Sequence, residues 1–201
     1  MSLRYAILGF LGSTPATGYV IGREFAQGAG AFWSALPSQI YPELRALEQL
    51  GWIEGTHDAS DRLNRRVFTL TAQGVAALQE WVEAPMEYPP ERDAERVRLI
   101  FLDRSTPDVV RRHLLSHAAH FRDKLATWRA IRAAMTDGTH RQMRARLAQR
   151  PAGEHDLILL TKLLAYDGNI ARAELEIAWA EDALARLEAL WSVADKVAEP
   201  L

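Results

Sequence analysis

Residues 36 to 53 read Leu-Pro-Ser-Gln-Ile-Tyr-Pro-Glu-Leu-Arg-Ala-Leu-Glu-Gln-Leu-Gly-Trp-Ile. Ile40, Leu44, Leu47 and Leu50 recur at helical spacing and are expected to pack inward, which leaves Ser38, Gln39, Tyr41, Pro42 and Arg45 near the helix start facing outward. A helix that reads base edges needs that division. Gly51-Trp52-Ile53 ends the helix, and a polar, Arg-rich hairpin follows between two apolar strands, expected at residues 52 to 56 and 66 to 70. A short amphipathic helix followed by a basic hairpin predicts a winged helix.

Outward from that stretch, the order of elements is α-α-α-β-β-α. Helices are expected near residues 3 to 12, 17 to 27 and 72 to 83, with Thr17 and Thr71 placed to offer a side-chain oxygen to the unpaired amides of the second and fourth. Tyr5, Trp33 and Trp52 are expected in the core, since large aromatics supply most of the buried area of a domain of this size. Pro85, Pro89 and Pro90 then interrupt every periodic pattern around them, which marks a linker. Beyond it nothing reads as strand. Residues 94 to 103 and 107 to 136 are expected to be helical, the second with Val110, Leu114, Ala118, Phe121, Leu125, Trp128 and Met135 along one face. Residues 154 to 198 run as one helix or two in tandem, with Gly168 as the weakest point. Such a helix would extend about 65 Å at 1.5 Å per residue, longer than a domain this small. Its stripe of Leu157, Leu160, Leu164, Ala171, Leu175 and Ala178, continued with an offset by Ile177, Leu184, Leu187 and Trp191, calls for a second subunit, with Leu160, Leu164, Leu175, Trp179, Leu184, Leu187 and Trp191 as its candidate contacts. The expected division is a winged-helix DNA-binding domain over 1–84, a Pro-rich linker over 85–93 and a helical dimerisation domain over 94–201, mainly α overall.

Composition bounds the function. The 201 residues are 48% hydrophobic and 25% charged, as expected of a globular chain of one or two domains. There is no cysteine, so disulfides, thiolate catalysis and Cys-based metal sites are excluded. The N-terminal apolar run is shorter than a spanning segment and lacks a basic leader, which predicts a cytoplasmic protein with no membrane partner. The formal net charge is −2, and residues 1 to 90 hold six basic side chains against nine acidic ones. Any DNA footprint must therefore be local, and four of those six basic residues do lie on the candidate reading helix or the wing.

His113, His117 and His120 share a helix face, and two histidines at i, i+4 can bind a metal. Leu114 and Leu115 occupy the place where a His-Glu-x-x-His site has its glutamate, so a helix-surface or interface role is favoured, with a His-dependent metalloprotein the weakest of three readings. No phosphate-binding glycine loop and no Gly-x-Ser-x-Gly elbow is present. The expectation is a non-enzyme without cofactor or metal. A winged helix used only for protein contact is the other alternative, which the acidic N-terminal half permits.

Gly18-Tyr19, Phe32-Trp33-Ser34, the run Pro37 to Leu44, Leu47-Glu48 with Gly51-Trp52-Ile53, and Arg66-Val67-Phe68-Thr69-Leu70-Thr71 with Gly74 resemble the PadR family of bacterial transcriptional regulators over about residues 3 to 83. Leu160-Thr161-Lys162-Leu163-Leu164, Ile177-Ala178-Trp179-Ala180-Glu181 and Leu184-Ala185-Arg186-Leu187-Glu188 look like the long dimerisation helix of its larger members. The resemblance implies a homodimer that binds an inverted-repeat operator, usually as a repressor, and is released by a small molecule or stress signal; effectors of the family are phenolic or hydrophobic. The residues themselves support the first part. Gln39 can present donor and acceptor to an adenine edge, Arg45 can reach guanine or phosphate, and Tyr41 can donate to phosphate or touch a thymine methyl. Ser38 is read as a cap or phosphate contact. Arg62, Asn64 and Arg65 of the wing can follow the backbone into the minor groove, while Arg66 either joins them or pairs with Asp58 or Asp61 across the hairpin. Candidates for an effector pocket are His117, Phe121, Trp128 and Trp179, all equally well explained as packing.

Overall fold

Ile40, Leu44 and Leu47 are buried to within 1% of complete, and the core of the N-terminal part is assembled around them. The structure is a computed structural model that describes residues 2–27, 35–57, 65–88, 90 and 92–198. Trp33, Asp58, Asp61, Arg62 and Asn64 lie outside the described residues. The elements are α1 (Ser2–Leu11), β1 (Ala16–Thr17), α2 (Gly18–Gln27), α3 (Pro37–Gln49), β2 (Ile53–His57), β3 (Arg66–Leu70), α4 (Ala72–Glu83), α5 (Ala94–Ile100), α6 (Pro107–Thr136), α7 (Arg141–Leu147) and α8 (His155–Ala198). Among the described residues no helix is long and apolar enough to cross a membrane.

The sheet has the order β1-β3-β2, antiparallel throughout. β2 and β3 form the expected hairpin, with Ile53 opposite Leu70 and His57 opposite Arg66. β1 was not expected. Two residues carry no periodicity to detect, and Ala16–Thr17 becomes a strand only because β3 offers it a free edge, pairing Ala16 with Phe68 and Thr17 with Val67. Both expected caps are made: Thr17 Oγ1 accepts from Val20 N at 3.3 Å and Thr71 Oγ1 from Gly74 N at 3.1 Å. Tyr5 and Trp52 flank the core rather than fill it, and Tyr5 stacks on Trp81 at 4.7 Å between ring centroids. Leu50 departs from expectation. It caps the C-terminus of α3 and is 43% exposed, because the chain turns away at Gly51, whose φ of 71° suits a residue without Cβ.

Two compact units divide the chain, residues 1–86 with 133–161 and residues 87–132 with 162–201. The first boundary falls at the proline-rich segment, but residues 133–161 return to the winged-helix unit instead of staying with the helices around them. Gln142 Nε2 donates to Glu24 Oε2 at 2.9 Å, Gln149 Nε2 donates to the Ser13 carbonyl at 2.8 Å, and Met143 is buried. These polar contacts span more than a hundred residues of sequence, beyond the reach of any local pattern. The cap of α7 is His140, whose Nδ1 accepts from Met143 N at 3.2 Å. Burial pushes the His140 imidazole below its ordinary 6.5, with Glu24 opposing part of that shift. The unfolded chain then takes up the proton more readily than the folded one, so this contribution to stability is complete above about pH 6.5 and declines as pH falls through the window below it. Protonation of Nδ1 also removes the cap acceptor. We expect the urea midpoint to fall more steeply from about pH 7 to about pH 5 in the wild type than in His140→Asn, which keeps an acceptor and does not titrate; parallel pH profiles would refute this.

In the second unit α6 and α8 run antiparallel, as the pairs Arg111–Glu188, Arg122–Glu181, Arg129–Glu174 and Arg132–Asp167 record by their opposite numbering. All are substantially exposed and screened by solvent, so they set register more than stability. Leu114, Ala118, Phe121, Trp128, Tyr166, Ala173 and Ala180 supply the buried apolar contact. α5 stops at Ile100, and Leu102–Arg104 continue as a single 3₁₀ turn where a helix to 103 was expected. α8 is one helix of 44 residues that passes through Gly168 without a break, since one glycine costs only about 1 kcal/mol.

Candidate nucleic-acid interface and ligand cleft

Pro37 opens α3 at a position whose missing N–H would be unpaired anyway. The cap residue is Leu36, which corrects the cap role considered for Ser38: Ser38 lies one residue inside the helix and is exposed. Leu36 N donates to Gln39 Oε1 at 3.0 Å. That bond holds the Gln39 amide at the helix mouth and leaves its two N–H donors and one oxygen lone pair available. Pro42 and Arg45 are exposed, and Tyr41 is 46% exposed. Tyr41 is positioned by the opening of α2, since a Cβ on Gly18 would come within 2.7 Å of a Tyr41 ring carbon. All five outward residues of the sequence reading thus share the solvent side of α3, opposite Ile40, Leu44 and Leu47.

The wing is fastened to the same helix by Glu48, to which its sequence neighbourhood assigns no role beyond a motif position. Glu48 takes a two-pronged contact from Arg66, one arm at 3.0 Å between Nη1 and Oε2 and the other between Nη2 and Oε1, and accepts from Gly55 N at 3.2 Å. Arg66 Nη2 also donates to the Gly55 carbonyl at 2.8 Å, and the guanidinium lies 5.4 Å from the Phe68 ring. The hydrogen bond from Arg66 holds the Glu48 carboxyl below the usual carboxylate range. Arg66 therefore joins α3 to β2 and β3, a pairing that neither sequence alternative named. Glu48 and Arg66 are 18 residues apart, and nothing in either neighbourhood announces the partner. Arg65 is exposed and directly precedes β3, at the loop end of the hairpin.

A cleft of about 410 Å³ opens in the second unit, lined by residues of α5, α6 and α8. His113, His117 and His120, the stripe weighed for metal binding, line it together with Arg96, Arg98 and Trp179. His117 is held on both sides, with Nε2 3.1 Å from Glu176 and Nδ1 3.4 Å from Glu95. Arg96 lies 4.2 Å from the Trp179 ring and donates to Glu176 at 2.6 Å. Burial pushes Glu176 up, but the hydrogen bonds from Arg96 and His117 outweigh it and hold the carboxyl low. Of the four effector candidates, His117 and Trp179 line the cleft, whereas Phe121 and Trp128 are buried, only 7% and 6% exposed, and are absent from its wall. Among the described residues no group of three or more His, Asp or Glu is placed to hold a metal ion.

The candidate dimer residues of α8 fall on two faces. Leu160, Leu164 and Leu175 are all more than half exposed, as is Leu157. Trp179, Leu184, Leu187 and Trp191 are half-buried, and Trp191 lies 5.3 Å from the Arg111 guanidinium of α6. The offset seen in the sequence thus separates an open stripe from one that packs within the chain.

Residues 7–80 match the family model of PadR-like transcriptional regulators, and residues 91–188 match that of the C-terminal region of virulence activator alpha. The negative transcriptional regulator PadR of Bacillus subtilis is 42% identical over 81 residues, 40% of this chain and 44% of that protein. A probable transcriptional regulator of Mycobacterium tuberculosis, Rv1176c, is 29% identical over 192 residues, 94% of this chain and 98% of the other. The crystal structure of Bacillus subtilis PadR with operator DNA superposes with a TM-score of 0.69 at 24% identity, covering 92% of this chain and 98% of that one. The same protein with p-coumaric acid gives 0.54 at 27%, covering 94% and 99%.

Proposed function

This chain belongs to the PadR-like family of DNA-binding transcriptional regulators, and from that premise we propose that it is a homodimeric repressor that reads an inverted-repeat operator with α3 and releases it on binding a small effector. The observation that carries this reading is the outer face of α3, where Ser38, Gln39, Tyr41, Pro42 and Arg45 are all exposed beside a hairpin tied to the same helix through Glu48 and Arg66. Gln39 and Arg45 supply base contacts, and Ser38, Tyr41 and the wing residues Arg62, Asn64 and Arg65 supply phosphate and minor-groove contacts. The open leucine stripe of α8 supplies the dimer contact, which places two reading helices in two-fold register. Its place of action is the cytoplasm, where the operator is.

The effector site of this proposal is the cleft around His117 and Trp179. A volume of about 410 Å³ suits a small aromatic molecule, with Arg98, His113 and His120 on its wall to meet an acidic or phenolic group. The Bacillus subtilis relative, crystallised with p-coumaric acid, supports a ligand of that class. Release then follows from population shift: a ligand that prefers the dimer spacing that misfits DNA lowers operator occupancy by its differential affinity for the two spacings.

The test is a salt-titrated binding assay with duplex DNA from upstream of the gene, followed by phenolic acids as competitors. Binding as a dimer at an inverted repeat, with half-site centres about 10 bp or a multiple apart, is the expected result. Binding that ignores sequence and vanishes by physiological salt, with no site recovered by unbiased selection, would overturn it.

A further inference from the structure

The arginine-rich segment after α6 takes no part in the reading face, the wing or the cleft. Arg141, Arg144, Arg146 and Arg150 fall within ten residues, and residues 138 to 153 contain no acidic side chain. We infer that α7 is a second DNA-contacting element, which grips the phosphate backbone outside the groove entered by α3; this rests on the operator-binding reading above.

Three observations carry the inference. The first is that the helix carries more donors than the fold consumes. Arg141 and Arg144 are exposed with no partner among the described residues, and Arg146 has a buried Nε without an acceptor. Arg150 alone is committed, to Glu154 at 2.8 Å. An exposed arginine fork that meets no carboxylate in its own fold suits phosphate, which it can contact through paired N–H groups.

The second is location. α7 belongs to the same compact unit as the winged helix, so its position relative to α3 is set by packing. α2 lies between them. Its Gly18 and Gly22 approach Tyr41 and Ile40 of α3, whereas Val20 and Glu24 border Arg141, Gln142 and Ala145 of α7. At 100° per residue these are nearly opposite faces of α2. α3, α2 and α7 therefore stand in a row, and with helix axes roughly 8–10 Å apart α7 is roughly 16–20 Å from α3. A major groove about 12 Å wide leaves α7 beyond the strand that borders it, level with backbone and not with base edges. The solvent side of α2 between the two carries Tyr19 and Arg23, both exposed.

The third is charge. Residues 1 to 90 carry more acid than base, and Arg66 is committed to Glu48. A protein that holds phosphates with so few cations gains the missing positive charge from α7. The partner is the sugar–phosphate backbone of duplex DNA, contacted without regard to sequence.

The experiment compares the full-length wild type with Arg141→Ala/Arg144→Ala on a mixed-sequence duplex of about 40 bp over a salt series, with circular dichroism to verify the fold. If both arginines touch phosphate, the slope of log K against log salt becomes shallower by about 0.9 for each phosphate that the variant no longer neutralises. The affinity for every sequence falls by one common factor, and Arg141→Lys/Arg144→Lys recovers most of the slope. An unchanged slope with a folded variant overturns the inference and leaves the function standing. A shallower slope in a protein that shows no sequence preference in selection supports the inference and removes the operator reading. No binding at any salt removes both.

Discussion

Gly74→Ala is expected to destabilise the winged-helix unit by roughly 3 kcal/mol or more, at the upper end of the overpacking range. Gly74 lies in the first turn of α4, where an alanine would by propensity alone be favoured by about 1 kcal/mol. Tertiary structure reverses that sign. A Cβ on Gly74 would sit 2.0 Å from the Trp52 carbonyl oxygen, a backbone atom, and 2.8 Å from a Leu70 methyl. The carbonyl cannot step aside, because it accepts from Thr71 N at 3.1 Å while Trp52 N donates to Leu47 O at 3.0 Å. Relief requires α4 to move off β2, which also breaks the Thr71 cap on the Gly74 amide, itself worth about 1 kcal/mol. Urea unfolding measures the loss directly. A change below about 1 kcal/mol would mean that α4 and β2 are not held at this separation.

Gln39→Glu combined with Arg45→Ala is expected to reduce operator affinity to the level of non-specific DNA. Each base contact is worth about 1–3 kcal/mol of discrimination, and a two-fold dimer makes each one twice. The sum, about 4–12 kcal/mol, spans the whole gap that usually separates specific from non-specific binding. Glutamate is chosen over alanine at position 39 because Gln39 Oε1 accepts from Leu36 N, and a carboxylate keeps that acceptor while losing the donors that an adenine N7 requires. The helix start is preserved, so a loss of binding reports on reading and not on folding. Equal affinity of variant and wild type for the selected operator would remove α3 from the recognition role.

The contrast between these two variants shows where the sequence was informative. The face presented by α3 follows from a helical repeat within a dozen residues, and Ile40, Leu44 and Leu47 are buried as that repeat requires. Leu50 fits the repeat and is nonetheless exposed, because the repeat does not record where the chain leaves the helix. The candidate site was legible to the same extent. The reading face of α3 could be named residue by residue, but the Glu48–Arg66 tether could not, since a salt bridge depends on two remote positions and either alone looks like a solvated charge. The histidine stripe of α6 was seen, yet the cleft it lines exists only once Arg96 and Arg98 of α5 and Trp179 of α8 come to the same place.

By itself the sequence determined the helices other than α7, the hairpin of β2 and β3, and most of their ends, because helix periodicity, Thr17 and Thr71 as caps and the prolines as breaks all act within about one turn of chain. Tertiary structure alone decided that Ala16–Thr17 would be a strand, that Gly74 would meet the Trp52 carbonyl too closely to leave room for a Cβ, that residues 133–161 would rejoin the first unit, and which leucines of α8 would stay open. Each of these depends on a contact between residues far apart in the chain, as Gln142 with Glu24 at a separation of 118. Such contacts form between surfaces that exist only after the local elements have folded.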